Sequence, residues 1–332
     1  MGDFAQLPPV MDMPLFSKGK VNRKGNVTTI IQQDRGFFLY RQFTTFVRLN
    51  INMRQEGESL DQKAFREILL RARNGEWKVE DWTYLQERVL KDMSTIEKKE
   101  FDGAITLMCT RQEVKLYNAQ QILAMKAPVY RVVARHNAAP SILSAVKQLS
   151  SDQGGELQPY LLLAIGARVM ITKNLCVKAG IVNGSIGILR GILVNSNEPN
   201  QEFPLCILVE LDSYSGPSFL SSYPKIIPIP PYHGYFEYKS QSCIRIQFPI
   251  VSAWALTIHK SQGMTLNKAI IDLGKKEYQS GLTFVAISRV KAFKDLAFLN
   301  RFPFNRLTSI ATNKNTAIRL EEEGRLDLLN TI

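Results

Sequence analysis

The chain has 332 residues, 45% of them hydrophobic and 22% charged, the balance of a soluble globular protein with room for two domains or one domain carrying an insertion. Forty-two Lys and Arg against thirty Asp and Glu give a net charge of +12 and a pI near 9.5. That surplus favours a polyanionic partner, nucleic acid being the commonest, over a basic chain with no such partner, and it selects no chemistry. No run of about 18 apolar residues exists and the N-terminal residues lack a secretory pattern, so neither a membrane span nor a signal peptide is expected.

In chain order, residues 1–48 are mixed in character and hold a basic stretch, SKGKVNRKGN, at 17–26. Residues 59–90 read as helical: Ser59 is a candidate N-cap, Leu60, Ala64, Phe65, Ile68 and Leu69 recur at helical intervals, and Asn74-Gly75 stops the first helix. The apolar run at 105–109 predicts a strand that turns into a helix at about Arg111, one β-α unit of an α/β domain. From about 160 to 240 the texture changes to short apolar runs broken by Gly, Asn and Pro, which predicts a small, mostly antiparallel β module. Within it Asn183-Gly184 signals a turn, and the four prolines of 224–231 rule out a central strand. The α/β texture then resumes, with a buried strand in AIIDLG, a helix around TFVAISRV and a last strand in DLAFL. The four cysteines, Cys109, Cys176, Cys206 and Cys243, form no CxxC and have no His at ligand spacing, so they read as reduced thiols of an intracellular protein.

Two segments concentrate polar chemistry. In Ala253 to Leu266 an apolar run ends in Thr257, His259, Lys260, Ser261, Gln262 and Gly263. Such a strand end is either an ordinary polar turn or a cradle for phosphate oxygens, gripped through side chains and free amides. His259 lacks a partner at metal-ligand spacing and reads as a donor or an oriented structural imidazole. Arg289, ending Phe284-Val285-Ala286-Ile287-Ser288-Arg289, and Arg54, in Asn52-Met53-Arg54-Gln55, are each, taken singly, surface charges as readily as functional ones.

Taken together and in this order, GDFAQLPPV, NMRQ, TIHKSQGMTL and FVAISR resemble the later motifs of superfamily-one DNA helicases, and within them the PIF-type branch related to bacterial RecD. TRQEVKLYN at 110–118, the VNGSIG region, Ile227 to Pro231 and RIQFPIVSAWALTIHKSQGMTL extend the resemblance over nearly the whole chain. It implies an α/β fold: a remnant of a first RecA-like domain at 1–50, and a second, parallel-sheet RecA-like domain at 51–159 and 243–332. A small antiparallel β-barrel module is inserted between those parts at 160–242.

It also implies an ATP-dependent 5′→3′ DNA helicase acting in repair, recombination or replication, with Mg²⁺ and ATP as cofactors, single-stranded DNA as partner, and a nuclear or mitochondrial place of work. Arg54 and Arg289 would neutralise charge on the transferring γ-phosphoryl, for which the planar guanidinium fork is suited. Gln6 would couple the γ-phosphate to the DNA strand, with Asp3 ordering its turn. Gln262 and Gly263 would line the nucleotide cleft, while Thr257, His259 and Lys260 would contact DNA phosphates with little sequence preference.

A G-x-x-x-x-G-K-[ST] loop is absent: Gly19-Lys20 is followed by Val21 and Gly274-Lys275 by Lys276, with no upstream glycine at the right spacing. The acidic pair that holds Mg²⁺ in the family is absent too, so no metal ligand is assigned. The chain is therefore expected to be the later portion of a longer motor, inactive as an ATPase in isolation, whether through a truncated gene reading, a decayed copy or a genuine short form. A different class also fits the same residues: a non-catalytic module that keeps the basic surface and binds single-stranded nucleic acid.

Overall fold

The apolar runs ITLM, AIID and LAF form the strands Ile105–Met108, Ala269–Asp272 and Leu296–Phe298 of a computed structural model that describes residues 2–9, 14–17, 27–49, 51–194, 203–308 and 314–331. All but Ser17 of the basic stretch at 17–26 lies outside the described residues. The three strands are parallel, with Ile105 opposite Ala269 and Ala269 opposite Leu296, and Ala255–Thr257 completes a four-stranded sheet next to Ile105–Met108. Ile105–Met108 and Leu296–Phe298 are buried at every position, as parallel strands covered on both faces must be.

The chain divides into two compact units: Met1–Arg111 with Leu256–Ile332, and Gln112–Ala255. In the first, the helix Leu60–Asn74 starts where predicted, with the Ser59 hydroxyl accepting from the Gln62 amide, and stops at Gly75 in the left-handed conformation. Its buried face is Gln62, Phe65, Ile68, Leu69 and Ala72. Leu60, expected on that face, is instead 85% exposed: it is the first helical residue, before the helix turns its stripe onto the core.

A buried polar network sits under the helix Leu282–Ile287. Arg306, with its side chain wholly buried, pairs with Glu277 and donates to Leu273 O (2.8 and 3.1 Å) and Thr283 Oγ1 (3.1 Å). Glu277 in turn accepts from the Thr283 amide (3.0 Å) and hydroxyl (2.7 Å), so the first turn of that helix is tied to a buried ion pair.

The second unit is mostly antiparallel. A five-stranded sheet runs Ile250–Ser252, Arg168–Ile171, Ile186–Leu193, Cys206–Leu211, Ile226–Ile229 in spatial order, around a core that includes Leu163, Val169, Leu189, Val209 and Phe248. The expected closed barrel does not form: the outer strands Ile250–Ser252 and Ile226–Ile229 are not paired with each other among the described residues. Pro228 explains one open end, since a strand with a missing amide is confined to an edge. A second sheet joins Tyr232–Tyr238, Gln241–Gln247 and Arg135–Asn137, and Tyr130–Val133 pairs with Tyr160–Leu163. The antiparallel strands thus span 130–252, drawing in residues on both sides of 160–242.

Arg245 is the hub of this unit. Fully buried, it donates to the carbonyls of Val146 (3.0 Å), Leu149 (2.9 Å), Ser150 (3.3 Å) and Leu157 (2.9 Å), and through Nε to His136 Nε2 (2.9 Å). Gly154 makes room for it: a Cβ there would lie 2.3 Å from the guanidinium. Because His136 Nε2 accepts this hydrogen bond, the imidazole must be neutral at that nitrogen. Burial, then the Arg245 charge, hold its pKa below the usual 6.5. A depressed histidine pKa means that the unfolded chain binds the proton more readily, so the stability tied to neutral His136 is complete above about pH 6.5 and is lost as pH falls. The urea midpoint of this unit, followed by Trp254 fluorescence, is expected to be lower at about pH 5 than at about pH 7.5, and a His136→Gln variant to show a smaller pH dependence.

Candidate functional site

The GDFAQ string forms a tight turn. The Gln6 amide donates to Asp3 O (3.1 Å) and the Ala5 amide to Asp3 Oδ1 (3.1 Å), the local pattern for which aspartate suits turns. The turn lies against the start of the helix Leu282–Ile287 so closely that a Cβ on Gly281 would meet Ala5 O at 2.4 Å, and Gly281 is left-handed besides. Asp3 also takes two hydrogen bonds from Arg73 (2.9 and 3.2 Å), which reaches on to Glu323 (2.7 and 3.1 Å).

Asn52 folds the NMRQ segment by accepting from the amides of Arg54 and Gln55, both at 3.1 Å. Arg54 then donates to Ser288 O (3.0 Å) and Thr265 Oγ1 (3.0 Å). Beside it, buried Gln55 donates to Val290 O (2.7 Å) and Ser288 O (3.3 Å), fastening the segment to the end of the FVAISR helix.

Arg289 is 1% exposed and donates to Val285 O (2.7 Å), Ser288 Oγ (2.7 Å), Ser261 O (3.3 Å) and Met264 O (3.4 Å). It thereby supports the TIHKSQGMTL loop from below. Both arginines converge on Ser288, and among the described residues neither makes an ion pair with a carboxylate. Burial pushes the Arg289 guanidinium down to about 10, the Arg54 charge adds to that, and Asp3 opposes it. Burial also lowers Arg54. Two desolvated guanidiniums beside one another, held by neutral acceptors, make a place where a phosphate would relieve strain.

In the third segment, Thr257 caps the short helix Ile258–Ser261 by accepting from the Lys260 amide (3.3 Å). His259 Nε2 lies 2.7 Å from Gln279 Oε1, which orients the ring, while the Lys260 side chain is exposed. Gln262 Nε2 donates to Gln6 Oε1 (3.2 Å). Gly263 is exposed and left-handed with open space around it.

The structure therefore brings Gln6 to Gln262, and Arg54 to the end of the helix that carries Arg289, while Thr257, His259 and Lys260 occupy the neighbouring short helix. The Asp3–Arg73–Glu323 tie and the fastening by Gln55 are not assigned by sequence reasoning. Gln55 was visible as the last letter of NMRQ, whereas nothing in the sequence marks Arg73. A cavity of about 790 Å³ elsewhere in this unit is lined by Glu56, Glu58, Asp61, Glu87 and Glu97 and by none of the motif residues. Among the described residues no group of three His, Cys, Asp or Glu side chains could hold a metal ion, and Asp3 is engaged with Arg73, so these residues do not fit Mg²⁺.

An α/β chain with a parallel sheet, in which a buried and a half-buried arginine meet at Ser288 with Gln55 beside them, is the class that fold and site define. No family model matches it. Its sequence is 29% identical over 308 residues to the ATP-dependent DNA helicase PIF1 of Danio rerio, covering 91% of this chain and 40% of that protein. The fold matches the crystal structure of Pif1 helicase from Candida albicans with a TM-score of 0.69 at 21% identity, covering 98% of this chain and 67% of that one. Pif1 from Bacteroides in complex with ADP-AlF3 and ssDNA matches with a TM-score of 0.63 at 22% identity, covering 98% and 66%. The resemblance to PIF-type helicases that the motifs carried is thus shown, and the chain spans about two fifths of the length of the curated relatives it matches.

Proposed function

We propose that this chain supplies the arginine side of the ATP site, and part of the DNA track, of a PIF-type 5′→3′ DNA helicase that uses Mg²⁺·ATP in repair, recombination or replication. The observation that carries the reading is the convergence of Arg54 and Arg289 on Ser288, with Arg289 buried and without a carboxylate partner among the described residues. There the two guanidiniums would neutralise charge on the transferring phosphoryl group without reorganising. The Gln6–Gln262 hydrogen bond would link the nucleotide to the loop that follows Lys260, so that occupancy of the first is felt at the second. Support comes from the helicase relatives and from the neighbour whose complex holds a nucleotide analogue and ssDNA. The chain is proposed to be a portion of the motor that turns over no appreciable ATP alone. Robust hydrolysis stimulated by single strands, abolished by Arg289→Ala, would overturn that part.

The test is single-strand binding by the purified chain, titrated with salt in the presence and absence of ADP-AlF3. Affinity is expected to fall steeply with salt, Lys260→Ala to reduce the slope by about one, and the nucleotide analogue to alter affinity. The charge of +12 favours a second reading, a non-catalytic nucleic-acid-binding module. That reading is the one that stands if binding is salt-sensitive and indifferent to nucleotide. Absence of binding at low salt would remove both.

A further inference from the structure

The strand Tyr232–Tyr238 is the outer strand of its three-stranded sheet, and its far side is unpaired among the described residues. Exposed edges are ordinarily blunted by proline, lysine or a bulge, because they template the addition of another strand. This one has none of these. Its seven residues, YHGYFEY, pair with Gln241–Gln247 without a register shift, in contrast to the bulge recorded between Leu189 and Gly191.

The register identifies which groups are free. A two-residue turn, Lys239-Ser240, both at positive φ, closes the hairpin at Tyr238 opposite Gln241. The closing pair of such a turn is hydrogen-bonded, so Tyr238, Phe236, Gly234 and Tyr232 direct their amides and carbonyls inward to the partner strand. His233, Tyr235 and Glu237 direct theirs outward. Their side chains are also exposed, Tyr235 at 69%.

Read backwards, the strand complements itself. An antiparallel copy centred on Tyr235 places His233 opposite Glu237 twice, Tyr235 opposite Tyr235, and Gly234 opposite Phe236 twice. Each outward-facing residue then meets an outward-facing residue, as hydrogen-bonded pairs require, and the two ends are tyrosines facing tyrosines. Both polar pairs match donor to carboxylate, a cross-strand pairing that stabilises antiparallel sheets. A register one residue away would set inward-facing groups against outward ones and make no ladder.

We infer that this edge is a self-association surface: two copies of the chain join their three-stranded sheets into one six-stranded sheet through Tyr232–Tyr238, about a two-fold axis at Tyr235. The occupant is a second copy because the edge is complementary to itself in charge in a register that also satisfies the backbone; a shift of two residues would satisfy the backbone too but takes His233 off Glu237.

Sedimentation velocity on the full chain, freed of nucleic acid by nuclease treatment, tests this over a range of protein concentrations. Wild type is expected to shift from monomer to dimer with rising concentration. Glu237→Lys, which sets Lys against His233 at both polar pairs, is expected to weaken the dimer about tenfold. The double variant His233→Glu, Glu237→Lys restores opposite charges in the same register and is expected to recover the dimer. Tyr235→Pro removes an outward amide that the monomer does not use and is expected to abolish dimerisation with an unchanged circular dichroism spectrum. A chain that stays monomeric to about 100 µM, a dimer indifferent to Glu237→Lys, or a loss that the charge-swapped double variant fails to rescue would each overturn the proposal.

Discussion

Arg306→Met is expected to destabilise the unit built from Met1–Arg111 and Leu256–Ile332 by about 3–5 kcal/mol, the cost of leaving a buried carboxylate without its cation. Glu277 would then stand 4% exposed against the Thr283 hydroxyl and amide with nothing to balance its charge, and the two hydrogen bonds to Leu273 O would be lost as well. Glu277→Leu is expected to be comparably costly, because it strands the guanidinium instead. The double variant removes both charges, and since desolvating an ion pair offsets much of its attraction, it is expected to be less destabilised than either single variant. Urea unfolding followed by Trp77 and Trp82, in a background where Trp254 is replaced by Phe, measures all three. Simple additivity of the two single losses would show that the pair does not act as a unit.

That network also shows where reading the sequence reaches and where it ends. The helix Leu60–Asn74 was legible because its information is local: a serine cap, a 3.6-residue stripe and a glycine stop all lie within seventeen residues of one another. The strands Ile105–Met108 and Ala269–Asp272 were legible for the same reason, as short apolar runs that need both faces covered. The extent of the antiparallel region was not, because Ile250–Ser252 has an apolar texture that suits either kind of sheet, and only its pairing with Arg168–Ile171 decides between them. Closure was overestimated too, since the two strands that would have to meet are separated by residues 230–249 and nothing local specifies their pairing.

At the site, Arg54, Arg289 and Gln6 stood out only as members of an ordered set of motifs; singly they had no more claim than other surface residues. Arg73 could not stand out at all, because its partners Asp3 and Glu323 are 70 and 250 residues away and the helical pattern around it is unexceptional. The Gln55 amide fell between these cases. It was part of a recognisable string, but its acceptors are backbone carbonyls, which carry no sequence signature.

Arg289→Met is expected to separate stability from anion recognition. A guanidinium pushed down to about 10 by burial reflects a burden on the folded chain on the order of 3 kcal/mol. Both folded and unfolded forms are protonated at neutral pH, so the burden is fully present there and lifts only as pH rises through about 10. Four hydrogen bonds to neutral acceptors offset it in part. Replacing the charge by an apolar side chain of similar reach removes the burden and the hydrogen bonds together, so the net change in stability is expected to stay within about 1 kcal/mol, far smaller than at Arg306.

Ligand linkage should change much more. Tripolyphosphate, a probe of the same charge pattern as the nucleotide tail, is expected to raise the melting temperature of the wild-type chain in a concentration-dependent way, because it binds the folded form alone. It is expected to leave Arg289→Met unmoved and to have an intermediate effect on Arg54→Met, whose guanidinium is less buried and has a hydroxyl and a carbonyl to fall back on. A melting temperature that rises equally in all three proteins would place the anion on the general basic surface instead of at Ser288, and would remove the arginine pair from the nucleotide site.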